Sequence, residues 1–113
     1  MSGISDEFMQ EELKGLRRYT LVLLRAGPER GSPGADKVVW EHGRRNFQLR
    51  RDGLLNIVCP ADGDGTEVAG VCIFSTDLAK TREVMDGDPA VSAGVLRYEA
   101  YSIRGFPGDS LSR

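Results

Sequence analysis

Three features of this 113-residue chain predict an α+β domain. Apolar runs rich in β-branched residues are interspersed with two stretches that keep helical spacing, glycine and proline mark the breaks, and the elements follow as strand, helix, strand, strand, helix, strand. With right-handed crossovers that order gives a four-stranded antiparallel sheet carrying both helices on one face, a ferredoxin-like βαββαβ arrangement. The length suits a single domain. Residues 1–17 read as an N-terminal appendage and residues 18–113 as the folded unit.

The appendage is polar, with Ile4, Phe8, Met9, Leu13 and Leu16 spaced widely enough for a short amphipathic helix that docks on the body or frays. The run YTLVLLRA over residues 19–26 ends at Gly27-Pro28 and reads as a strand closed by a turn. The following GPERGSPG is a loop, and it lacks the GK[ST] ending of a phosphate loop. Residues 36–52 contain no proline and put Val38, Val39, His42, Asn46 and Leu49 within about 100° of one helical face. Gly53 stops that helix. Residues 54–58 and 68–74 are short strands, and the glycine-rich CPADGDGTE between them predicts an antiparallel hairpin. Ser75, Thr76 and Asp77 offer capping oxygens to a helix over residues 75–85, which Asp86-Gly87 ends. Asp88-Pro89 has the form of an N-cap followed by a first-turn proline and opens a short turn up to Gly94. Residues 95–103 supply the last strand.

A sheet with helices on one side and water on the other alternates apolar and polar side chains. These strands do not: Leu21 and Leu23 point away from Val22 and Leu24, and Val71 and Ile73 point away from Cys72 and Phe74. Two helices cover one apolar face only, so a second copy of the chain is expected on the other, as a homodimer with room for a small apolar or aromatic ligand. Fifteen Lys and Arg against seventeen Asp and Glu leave a net charge of -2, which argues against nucleic acid as a partner. The start carries Asp6 and Glu7 with no basic-then-apolar signal, and the apolar runs are far below membrane-spanning length, so a cytoplasmic protein is expected. Cys59 and Cys72, too few for a disulfide framework, read as reduced thiols in the core.

His42 is the only histidine, which excludes a multi-histidine metal site. It lies mid-stripe on the face turned toward the sheet, where it reads either as a hydrogen-bonded core residue or as a general base. The carboxylates that could orient it are Asp88, fixed in direction by the Gly-Asp-Pro corner, and Asp52 and Asp86. Asp88 is also explained as an N-cap, and Asp52 as a turn residue before Gly53 or a substrate contact. Asn46, one turn after His42, is placed to hold the imidazole tautomer or a substrate oxygen. Asp62 and Asp64 lack the further acidic ligands of a calcium loop. The arginines at 44, 45, 50 and 51 read as a solvated helical face, and Trp40 and Phe47 either pack under the N-terminal appendage, the preferred reading, or widen the dimer contact. Ser75 and Ser92 have no second histidine to serve a triad.

The helix bearing His42, then Asp52-Gly53-Leu54-Leu55, the strand into Pro60, and Asp88-Pro89-Ala90-Val91-Ser92-Ala93-Gly94-Val95 together resemble the YCII-related (YciI-like) domain family over about residues 19–108. The Asp-Pro-x-x-x-Ala-Gly segment is the most specific part. The resemblance implies a dimeric α/β barrel of ferredoxin-like protomers with an enzymatic role resting on His42 and Asp88. The chain departs from the pattern at Cys59-Pro60, where the family has Gly-Pro, at Gly43 after the histidine, and in the extra residues 1–17. The expected activity is cofactor-independent proton transfer by the His42/Asp88 pair on a small aromatic or carbonyl-bearing compound, isomerase- or lyase-like, with Asn46 and Asp52 as substrate contacts. The rival is a non-catalytic dimeric small-molecule-binding or interaction module, in which His42 and Asp88 only stabilise the fold.

Overall fold

The computed structural model describes residues 3–113. In chain order the elements are α1 (Asp6–Leu13), β1 (Arg17–Ala26), α2 (Ala35–Arg51), β2 (Leu55–Pro60), β3 (Gly70–Phe74), α3 (Leu78–Asp86), α4 (Pro89–Ser92) and β4 (Leu96–Gly105). The strands form one antiparallel sheet in the order β2-β3-β1-β4, so two split strand–helix–strand units interleave through the central β1–β3 pair. This is an α+β fold consistent with the ferredoxin-like arrangement. No helix among the described residues is long and apolar enough to cross a membrane.

The element ends shift from expectation for local reasons. β1 starts at Arg17 and β4 runs to Gly105 because these two residues pair across the ladder. α3 starts at Leu78 because the cap is Asp77, whose carboxylate accepts from the Lys80 amide at 2.8 Å. Ser75 instead donates its hydroxyl to the Gly53 carbonyl at 3.0 Å. α4 follows the anticipated pattern, with Asp88 as N-cap and Pro89 in the first turn.

Alternation along the strands divides the sheet as the sequence suggests. Val22, Leu24, Cys72 and Phe74 are buried beneath the helices with Leu49 of α2, Val84 and Met85 of α3, Ala90 of α4 and Leu96 of β4. Leu21, Leu23, Val71 and Ile73 occupy the helix-free face and stay half-buried, with Leu21 opposite Ile73 and Leu23 opposite Val71. The loop after β1 is sewn to the end of α4 by Gly27 N–H to Val95 O and Glu29 N–H to Gly94 O, both 2.9 Å. A Cβ on Gly27 would collide with the Gly94 carbonyl, so only glycine permits this approach. The contact fixes α4, and with it Asp88, against the sheet.

The expectation for Trp40 and Phe47 is corrected. They are 70% and 69% exposed, and no α1 residue is buried. The turn between α1 and β1 directs the helix away from α2. It is fixed by Gly15 N–H to Glu12 O at 2.9 Å and by Arg17, which donates to Lys14 O at 3.2 Å and Leu16 O at 2.9 Å. The chain therefore spans 56 × 29 × 24 Å, with a radius of gyration of 16.6 Å against roughly 13 Å for a compact chain of this length.

Candidate functional site

The apolar stripe that docks α2 on the sheet also carries its polar centre, since His42 and Asn46 are buried on the same face as Ala35 and Leu49. Asp88 reaches this centre from α4 and is fully buried. Its Oδ1 caps α4 by accepting from Ala90 N–H at 2.8 Å and Val91 N–H at 3.4 Å. Its Oδ2 lies 2.7 Å from His42 Nδ1. An ionised carboxylate only accepts, so Nδ1 carries a proton, and in the uncharged form of the ring Nε2 is left as an acceptor. The Asn46 amide nitrogen lies 3.3 Å from that Nε2 and donates to it. Asp88 and Asn46 therefore set one imidazole tautomer and orientation.

Burial pushes the Asp88 carboxyl up, but the His42 hydrogen bond and charge, helped by the Ala90 and Val91 amides, outweigh it and hold the group below the usual carboxylate range. A further cation stands beside it. Arg45 Nη1 is 3.7 Å from Asp88 Oδ2 and is itself buried without a hydrogen-bond partner. From sequence Arg45 belongs to the solvated basic face; in the structure its guanidinium turns inward against Gly87 and Asp88.

His42 and Asn46 line a cavity of about 350 Å³ whose walls include Leu24, Val39, Val58 and Leu96. Arg30, Phe47, Arg50 and Asp64 also border it. Asp88 is not part of the lining, so the imidazole turns its Nε2 side to the space. The 3.3 Å contact to Asn46 is at the long end for a hydrogen bond.

A scan against protein-family models finds no match for the chain, and a search of curated proteins finds none either. What the site can do is read from its own atoms. In its uncharged form the imidazole offers Nε2 as a proton acceptor once the Asn46 contact is released, and the buried carboxylate on its other nitrogen stabilises the imidazolium that results. Among the described residues no group of three or more His, Cys, Asp or Glu side chains is placed to hold a metal ion.

The other candidates lie elsewhere. Asp52 is exposed at the C-terminal end of α2, where it accepts from Gln48 Nε2 at 3.0 Å, and it does not reach the cavity. Its geometry is that of a helix-end residue. Asp86 accepts from the Tyr98 hydroxyl at 2.7 Å; burial and that bond push the Tyr98 phenol up to about 12. Asp64 accepts from the amide and hydroxyl of Thr66 and so shapes its own loop. Cys72 is buried beside the cavity, and burial, with Cys59 and Asp88 nearby, pushes its thiol up to about 12. In the native protein Cys72 is therefore expected to resist alkylation near pH 7 and to be modified only after unfolding, as peptide mapping of labelled protein will report. Native-state labelling of Cys72 at the rate of a free thiol would contradict this placement.

Proposed function

We propose that the chain is a small enzyme in which His42 moves a proton on a carbonyl-bearing or aromatic organic compound held in the 350 Å³ cavity, giving isomerisation or elimination. The observation that carries this reading is the oriented imidazole: Nδ1 on a buried carboxylate at 2.7 Å and Nε2 toward an apolar space. In the step proposed, Nε2 takes a proton from the carbon beside a carbonyl. The C–H electron pair moves to the carbonyl oxygen as an enolate, and Asn46 donates to that oxygen. Returning the proton to another carbon gives an isomer. Expulsion of a leaving group from the neighbouring carbon, which takes its bonding pair with it, gives elimination. General-base action of this kind supplies roughly 100- to 10,000-fold.

The working unit in this reading is a homodimer of the dimeric α/β-barrel type, as the likeness to YciI-like domains implies. Accessible area supports it: the chain exposes 7904 Å² where a compact monomer of its mass exposes roughly 6,100 Å². α1 and the exposed residues 106–113 contribute to the excess, and so does the helix-free face of the sheet.

The test is proton exchange. Small carbonyl acids and phenolic ketones are incubated with the protein in deuterated water and followed by NMR. The wild-type chain is expected to wash deuterium into at least one of them, and His42→Gln is expected to slow this by about 100-fold or more while remaining folded. Equal exchange by both proteins defeats the reading. A second reading, a dimeric module that binds without turnover, is favoured by the saturation of the pair: Asp88 already caps α4, and Asn46 already occupies Nε2. It predicts a compound that binds the wild-type chain and exchanges no proton.

A further inference from the structure

At about 100° per residue Arg45 leaves α2 about 60° to one side of His42, and Asn46 leaves about 40° to the other. Asn46 accordingly borders the cavity, while Arg45 turns toward α4 and its cap. Arg45 Nη1 stops 3.7 Å from Asp88 Oδ2, the same oxygen that lies 2.7 Å from His42 Nδ1. That nitrogen is buried and has no hydrogen-bond partner. Its neighbour Arg44 is bonded to Glu41 at 3.0 Å, but among the described residues no carboxylate other than Asp88 pairs with Arg45. Asp86, close by in sequence, is taken by the Tyr98 hydroxyl at 2.7 Å. A guanidinium so placed acts on Asp88 by charge rather than by a hydrogen bond.

We propose that Arg45 is a positioning residue for the proton of His42: by sharing Asp88 with the imidazole, its charge opposes protonation of the ring. With the ring uncharged, Asp88 and Arg45 sum to zero. Protonation of Nε2 from solvent leaves the buried group with one positive charge in excess, in surroundings that screen it poorly. When the proton comes from a compound in the cavity, the C–H electron pair stays with that compound as a negative charge, and the four groups again sum to zero. Arg45 therefore favours transfer from a bound compound over uptake from water. What this implies for turnover rests on the reading of His42 as a base. The other ionisable groups around the ring are placed differently. Strands β3 and β2 bring the thiols Cys72 and Cys59, and burial pushes Cys72 up to about 12. Arg30, in the loop after β1, is paired with Asp36 at 2.9 Å, and Asp64, in the loop after β2, is bonded to Thr66. Arg50, further along α2, lies over the Phe47 ring at 5.8 Å. Tyr98 of β4 is turned to Asp86.

His42 is the only histidine, so its ring C–H resonances report its charge directly. They are followed against pH by NMR in the wild-type chain and in Arg45→Met, Arg45→Gln and Arg45→Lys. Removing the cation is expected to raise the titration midpoint by about one pH unit, and Lys, which keeps a positive charge, to bring it back toward the wild-type value. Met keeps the apolar packing of the stem and Gln keeps a polar end, so either neutral variant that retains the fold decides the matter. A midpoint shared by the wild type and the neutral variants overturns the inference. So does a Lys variant that titrates as they do, because charge would then not be the cause. In the deuterium-exchange assay the acid limb of the rate is expected to move up in pH with the midpoint, and a limb that stays in place while exchange occurs also counts against the inference. Absence of exchange with every compound defeats the enzymatic reading alone, because the titration is measured without any compound present.

Discussion

Asp88→Ala is expected to cost the fold about 3–5 kcal/mol, the range found when one partner of a buried, hydrogen-bonded charge pair is removed. One carboxylate serves several groups at once. It accepts from His42, from the Ala90 amide and at longer range from the Val91 amide, and it is the counter-charge for Arg45 at 3.7 Å. Truncation leaves donors buried with no acceptor, together with a guanidinium nitrogen that has no other partner. Asp88→Asn separates the contributions. The amide oxygen still caps α4, since Asn serves as well as Asp there, so the loss is expected to fall to about 1–3 kcal/mol. Urea unfolding midpoints measure both. Losses below about 1 kcal/mol for both variants would mean that the carboxylate is not the hub its contacts suggest.

The same carboxylate sets an acid limb. Its folded-state value lies below its unfolded one, so the stability it contributes is complete above the ordinary carboxylate value near 3.8 and is lost as pH falls through the depressed folded value. Wild-type stability is expected to drop in that window by more than that of Asp88→Asn. Glu99 is also held low, first by its hydrogen bond from Tyr101 and then by Arg25, and Asp64 by Thr66. Both lie in solvent-screened positions and contribute little to the limb.

How much of this was legible in the sequence follows from where the information is local. Strand and helix order, the Asp88-Pro89 cap and the stripe through His42 and Asn46 depend on spacing and turn chemistry within a few residues, and the structure has them in place. The His42–Asp88 pairing depends on a contact across 46 positions, and it was reachable only because each residue had a fixed direction of its own. Arg45 was misplaced by reading it as one of a basic pair. At about 100° per residue it lies about 20° beyond Val38, at the edge of the buried side of α2, so the stripe itself contained the signal. The direction of α1 was not legible, because it is set by a three-residue turn and one arginine's hydrogen bonds. The cavity's far wall was hidden as well, since it comes from the loop after β2, where Gly63, Asp64 and Gly65 carry no apolar pattern.

If the chain forms the proposed sheet-to-sheet homodimer, a charge placed at the middle of the helix-free face is expected to separate it outright. Ile73 sits on β3 opposite Leu21 of β1 and Ile57 of β2, so it is surrounded by apolar neighbours and has no cation at hand to accept a new carboxylate. Within one chain it is half-exposed, and Ile73→Glu alone should change the fold by no more than about 1 kcal/mol. Across a two-fold interface the same substitution occurs twice. An unpaired buried charge costs about 3 kcal/mol per copy, or about 6 kcal/mol for the pair. This weakens association by roughly 10,000-fold. Light scattering over a dilution series is expected to find dimers for the wild-type chain and monomers for Ile73→Glu, with far-UV circular dichroism unchanged between them. Monomers for the wild-type chain at micromolar concentration would remove the sheet-to-sheet dimer, and the oriented His42–Asp88 pair would then have to work within a single protomer.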